Sequence, residues 1–295
     1  MLSLSLGIGA ALAWGLHDLL VRFATREIGA AWAFLLVLSG GLVMIFLVAL
    51  AGGHVTRDML AEFSAAAVAL SVAAGLTYAL AGYSLYRAFD EGPVRLVSPI
   101  VGAFPILSFC WAAWQGQTPS VGQWIAVFLV VAGVTISAHL TQEDAADGVE
   151  AEDQDAARRR RAAILWAVAA MAGFALTFAF GQAATAVVGT LPNVLLARFV
   201  SMLALGAAAF MIAPLPRLGQ LPWQLLLVMG AADAGALSMV LAAGNLPHPE
   251  FASAASATFG MVTIVLAWLF LKERMSMAQW GAVGLVFASI GYLSL

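Results

Sequence analysis

Stretches of about twenty mostly apolar residues, the length a helix needs to cross a bilayer, recur along this chain and leave it few folds. Cut at polar or Gly/Pro punctuation, they lie near 4–23, 30–51, 65–88, 93–114, 120–140, 162–183, 190–213, 222–243, 249–271 and 276–294. Composition agrees: hydrophobic residues make up 63% of the 295 positions and charged residues 10%, against about 45–50% and about 25% in soluble domains. The chain reads as an all-α membrane protein of ten transmembrane helices. Its opening, MLSLSLGIGAALAWG, lacks a basic region before the apolar run, so the first span is expected to be retained.

The exception is residues 141–161, TQEDAADGVEAEDQDAARRRR, which hold seven of the 16 acidic and four of the 13 basic residues. With no core-forming run, this segment reads as a solvated, flexible linker. It separates a first unit, residues 1–140, from a second, residues 162–295. Its four arginines follow an acid run and build no basic face, so a nucleic-acid partner is not expected. Cys110 is the only cysteine, which excludes an intramolecular disulfide and paired-cysteine metal sites.

The two units repeat each other. At an offset of 156 residues, Ser120, Gln123, Trp124, Ala126, Val127 and Leu129 match Ser276, Gln279, Trp280, Ala282, Val283 and Leu285, and Pro93 matches Pro249. A Ser-x-x-Gln-Trp skeleton in register is more than shared apolar composition. Five spans per unit is an odd number, so the second copy enters the membrane from the opposite side: inverted repeats are expected. One set of loops holds Arg22, Arg26, Arg87, Arg95, Arg158 to Arg161, Arg217, Lys272 and Arg274, whereas the other holds Arg57 alone. Basic loops face the cytoplasm, so both termini are expected outside and the linker inside.

No H-E-x-x-H, G-x-S-x-G or G-x-x-x-x-G-K-[ST] motif occurs, so no catalytic residue, metal or cofactor is expected. Inverted repeats meeting at a midplane site are the plan of secondary transporters, in which broken helices mark the site. The fourth span carries Pro99 and Pro105, and the ninth carries Ser253, Ser256, Thr258 and Gly260. Small residues there either line a cavity or allow close helix packing.

Ionisable residues inside spans are functional candidates because a lone charge in lipid is costly. His17, Asp18, Arg198 and Asp233 qualify. Asp18 precedes Arg22 by four residues, the spacing of a helical ion pair, and reads either as a structural pair at the rim or as part of the path. His17, about 20 Å along the helix from Leu4, reads as a neutral imidazole on a carbonyl, as a ligand-orienting donor, or as a proton carrier. Arg198 and Asp233 sit mid-span in neighbouring helices and suggest a charge pair acting as scaffold or gate. Among aromatic residues, Trp14 and Tyr78 are deepest, Tyr83, Tyr86 and Trp111 could also wall a cavity, and Trp111, Trp114, Trp124, Trp223 and Trp280 at span ends suit the bilayer interface.

Trp14-Gly15 followed by Arg22, then Pro192 with Ala197-Arg198, then Leu271-Lys272-Glu273 leading into Ser276, Gln279 and Trp280, occur in an order that resembles the drug/metabolite transporter superfamily, EamA type, which includes YddG-like amino-acid exporters. The resemblance covers the chain apart from the linker. Where the family usually has asparagine this chain has His17, where it has an apolar or aromatic residue this chain has Asp18, and Gln117 replaces the first-half counterpart of Glu273.

The resemblance implies a secondary transporter in a bacterial inner membrane, moving a small organic metabolite by alternating access, most often an amino acid or related compound for export. Trp14, His17, Asp18, Tyr78, Tyr86 and Ser256 are the expected substrate contacts. Expected partners are the solute, the lipid bilayer and, where transport is coupled, protons. A monomer is expected because both repeats lie in one chain. The competing readings are a membrane-embedded enzyme on a lipid and a non-transporting sensor or scaffold.

Overall fold

The computed structural model describes residues 2–54, 64–107, 110, 120–146, 154–217, 221–247, 249–272 and 275–293, and among these there is no strand. In chain order the α-helices are α1 (Leu2–Ile28), α2 (Ala30–Ala51), α3 (Ala65–Glu91), α4 (Val94–Gly102), α5 (Val121–Ala146), α6 (Gln154–Val188), α7 (Thr190–Ile212), α8 (Trp223–Ala242), α9 (Glu250–Ser256), α10 (Phe259–Leu266) and α11 (Met277–Leu293). Six of them, α1, α2, α3, α6, α7 and α8 with its short extension to Asn245, are long and apolar enough to cross a membrane, and shorter apolar helices run over Val94–Leu107, Val121–Gly133 and Phe259–Leu271. The protein is therefore a multi-pass membrane protein. Trp111, Trp114, Arg57, Gln117, Glu273, Arg274 and residues 147–153 of the expected linker lie outside the described residues.

Helix outlasts the spans on both sides of that linker. α5 continues to Ala146 and α6 begins at Gln154, so residues 141–146 and 154–161 are helical where a flexible segment was expected. Ala and Arg are strong helix formers, and Asp155 in the first turn of α6 suits the helix dipole.

Matched devices occur in the two halves. Ser120 caps α5: its backbone N–H donates to Gln123 Oε1 at 2.9 Å and its Oγ accepts from the Gln123 N–H at 3.2 Å. Ser276 and Gln279 repeat this at the start of α11 with the same two distances, a reciprocal box that satisfies two otherwise orphaned donors. α1 and α2 are joined by a single residue, Gly29 at φ 77, and α6 and α7 by Gly189 at φ 79, a backbone region that glycine enters without steric cost.

The fourth and ninth spans are both interrupted. α4 ends at Gly102, followed by a turn at 103–104 and Pro105; α9 ends at Ser256, followed by a turn at 257–258 before α10. The packing is reciprocal as well: α3 lies against α6 and α7, α8 lies against α1 and α2, and α5 lies against α11. A Cβ on Gly75 of α3 would run into the Ala197 carbonyl of α7, and one on Gly230 of α8 would crowd the Gly41 nitrogen and the Val37 carbonyl of α2. Small residues let these crossings close where lipid supplies no hydrophobic drive.

Candidate functional site

α1 carries the chemistry because its helical period sorts polar from apolar. Ala10, Trp14, His17, Asp18 and Val21 fall on a buried stripe, while Leu4, Ile8, Leu12, Leu16 and Phe23 face outward. Buried His17 and Asp18 thus point into the bundle rather than into lipid.

Two carboxylates meet there. Asp233 of α8 accepts at Oδ1 from Trp14 Nε1 at 3.2 Å and from the Tyr78 hydroxyl, and at Oδ2 from Arg198 Nη1 at 2.9 Å. Arg198, fully buried, also donates through Nη2 to the Leu38 carbonyl at 3.5 Å. Four helices, α1, α3, α7 and α8, therefore converge on one carboxylate, and its charge is matched.

Asp18 is held differently. Its Oδ1 lies 2.9 Å from His17 Nδ1, and His17 Nε2 lies 2.9 Å from the Tyr86 hydroxyl. With Asp18 ionised, Nδ1–H donates to the carboxylate and Nε2 accepts from the phenol, which makes a chain Tyr86–His17–Asp18. Asp18 Oδ2 is buried with no hydrogen-bond partner. The expected pairing with Arg22 is not the one Asp18 makes: the acid turns along α1 to its neighbour, while Arg22 lines a separate polar pocket at the end of the helix. Inward-facing Asp18 is reached by an imidazole on the same stripe.

Trp14, His17, Asp18, Tyr78 and Asp233 line one cavity with Gly82, Leu85, Phe174, Phe178 and Phe259. It offers about 10 Å³ to the centre of a water molecule, about what one water needs, so the site is occluded and aromatic rings press into it. Trp14 sits 5.7 Å from Phe178 and 6.2 Å from both Phe174 and Phe259, centroid to centroid. Tyr86 stands behind His17 as its partner. Ser256 does not join the group: it is buried in the last turn of α9, and its Oγ donates to the Ser253 carbonyl at 2.8 Å. Tyr83 stacks edge-on to Trp166 at 5.7 Å, away from the cavity lining. Among the described residues, no three His, Cys, Asp or Glu side chains converge as metal ligands do.

Phe34, Phe104, Phe174, Phe178 and Phe259 form an aromatic cluster around Trp14, Tyr78 and Tyr86 that sequence reasoning did not single out. The available signal was the i, i+4 spacing of Phe174 and Phe178, which puts both on one face of α6.

The two ends of the bundle differ. Where α2 ends and α6 meets α7, an open cleft of about 660 Å³ is bounded by Met44, Val48, His54, Thr190, Pro192 and Gly235. At the opposite end Arg87 reaches Glu91 at 2.8 Å and Asp90 at 3.5 Å, and Arg159 of α6 reaches Glu91 at 3.5 Å and the Asp90 carbonyl at 3.3 Å. A charged cluster thus links α3 to α6 at this end, beside a smaller polar pocket of about 320 Å³ that Arg22, Asp90, Glu91 and Arg159 line.

The fold is a helical membrane bundle that buries a small polar and aromatic cavity between α1, α3, α6, α8 and α10. The sequence comparison names the group: the EamA-like transporter family matches twice, over residues 1–138 and 161–295, and the chain belongs to that family. No curated protein sequence matches the chain. A solved structure, described only as the crystal structure of a protein, superposes with a TM-score of 0.66 at 14% identity, covering 98% of this chain and 95% of that one, and so shares the fold.

Proposed function

We propose that this protein is a secondary transporter that moves a small organic metabolite across a bacterial inner membrane by alternating access, exporting an amino acid or a related compound. The observation that carries this reading is the occluded central cavity, where α1 and α3 of the first half meet α6, α8 and α10 of the second around two buried carboxylates.

Ten spans arranged as two inverted five-helix repeats, residues 1–140 and 162–295, are part of the proposal. The double family match, the twin capping boxes at Ser120 and Ser276, the paired junctions at Gly29 and Gly189 and the reciprocal helix packing support it. The eleven basic residues gathered in one set of loops support a cytoplasmic linker and external termini. In that orientation the Arg87–Glu91–Arg159 cluster lies at the cytoplasmic end and the 660 Å³ cleft at the outer end. Trp14, His17, Asp18 and Tyr78 are the proposed path residues, Tyr86 supports His17, and Arg198 with Asp233 serves as a fixed charge pair. A monomer suffices, since both repeats are in one chain.

The test is a solute screen in proteoliposomes containing the full chain, with and without an imposed pH gradient. Saturable, protein-dependent flux of an amino acid or related metabolite is expected. Flux no greater than in protein-free vesicles across the whole metabolite panel would overturn the reading.

A further inference from the structure

We infer that Asp18 Oδ2 is the cation seat of the central cavity, taking the protonated amine of an organic solute and, in its absence, a proton. The inference rests on the transport reading and narrows it to a solute class.

The first argument is a count of partners. The donors of Trp14 and Tyr78, which line the cavity, are committed to Asp233, and Arg198, which reaches the other oxygen of Asp233 through Nη1 and keeps a buried, unpartnered Nε, is not among the lining residues. A solute carboxylate in the cavity would meet no lysine or arginine among the lining residues. Asp18, by contrast, is 1% exposed, lines the cavity, and has a carboxylate oxygen with no hydrogen-bond partner. An ammonium group supplies both the donor and the charge that this oxygen lacks.

The second argument is the wall. Trp14, Phe174, Phe178 and Phe259 present aromatic rings to the same space, and ring faces attract cations once water is excluded. His17, fixed between Asp18 Oδ1 and the Tyr86 hydroxyl, is a positioning residue: it holds one oxygen so that the other stays toward the cavity.

The proton follows from the same geometry. The groups around Asp18 are His17 on its own helix, Tyr86 from α3, and Asp233 from α8, the last held by Tyr78 and by Arg198 of α7, which matches its charge; the ionisable residues of α6, Asp155 and Arg158 to Arg161, lie at its far N-terminal end. α2 and α10 contain no ionisable residue, and α9 contains one, Glu250, at its first position. The Asp18 carboxyl is therefore neutral when protonated and carries one negative charge without the proton. A cationic amine binds the second state, and the proton it displaces leaves to water. Amine affinity falls as the medium is acidified.

The experiment is calorimetric titration of the purified full chain with 2-phenylethylamine, phenylalanine and 3-phenylpropionate. The amine is expected to bind about tenfold or more tightly than the acid near pH 8, the gap of one unmet charged hydrogen bond, and to weaken as the medium is acidified and the proton competes. Asp18→Asn loses that preference and its pH dependence, whereas Asp18→Glu retains both. Equal affinity for 3-phenylpropionate and 2-phenylethylamine overturns the inference, as does an Asp18→Asn protein that elutes as wild type yet keeps its amine affinity within about twofold. If Asp18→Asn does not fold, the wild-type amine-to-acid ratio and pH profile decide. Wild-type protein that binds none of the three also overturns it, while flux of another solute in the vesicle screen would leave the transport reading standing. Amine binding at Asp18 without flux of any solute would do the reverse.

Discussion

Asp233 and Asp18 share a residue type, a cavity and nearly the same burial, 2% and 1% exposed, yet they are held in opposite ways. Asp233 uses both oxygens and draws donors from α1, α3 and α7. Asp18 has one partner, its own sequence neighbour, and one oxygen with none. Burial alone therefore does not distinguish the two acids; the number of partners does. A saturated carboxylate ties helices together, whereas an unsaturated one keeps capacity for something that arrives later.

The sharpest way to break this contrast is Arg198→Ala, which strands the Asp233 charge in the bundle and should cost about 3–5 kcal/mol. Thermal unfolding in detergent measures it, and an unchanged midpoint would mean that Asp233 is no strut. Replacing both partners, Arg198→Met with Asp233→Leu, should recover most of that loss, because no charge is then left alone. Tyr78→Phe removes one donor of several from the same carboxylate and should cost about 1–2 kcal/mol by the same assay.

On the other side of the comparison, Tyr86→Phe deletes only the phenol behind His17 and should lower stability by about 0.5–1 kcal/mol. The smallest effect belongs to Asp18→Asn. It retains an oxygen for His17 and removes a charge, so stability should move by less than about 0.5 kcal/mol while solute binding changes most. A large drop in unfolding midpoint for Asp18→Asn would erase the distinction between the two acids.

Much of the bundle was legible in advance for a plain physical reason: lipid offers no partner to a backbone amide, so apolar runs of span length must become helices. The Ser-x-x-Gln spacing likewise announced the starts of α5 and α11, because capping is local. The linker was misjudged at its ends, where Ala-Arg helix propensity carries α6 back to Gln154. Trp14, His17, Asp18 and Tyr78 stood out as polar or aromatic residues deep in spans, and they line one cavity. Phe174, Phe178 and Phe259 did not stand out, since a phenylalanine facing a cavity looks the same in sequence as one facing lipid. Ser256 illustrates the converse: a hydroxyl in a broken span can be satisfied by the carbonyl three residues back and never reach the cavity.

The choice of partner for each charge was the least legible part. An i, i+4 rule offered Arg22 to Asp18, but that rule knows only one helix, and the partners of Asp233 come from three others. The sequence by itself determined that the chain enters the membrane as apolar helices, repeats its plan across a charged segment and places four ionisable groups at depth, because these follow from length, period and local capping. Only the tertiary structure decided that Arg198, Tyr78 and Trp14 all go to Asp233 while Asp18 keeps a free oxygen, because hydrogen bonds between helices depend on which faces meet, and no single helix carries that information.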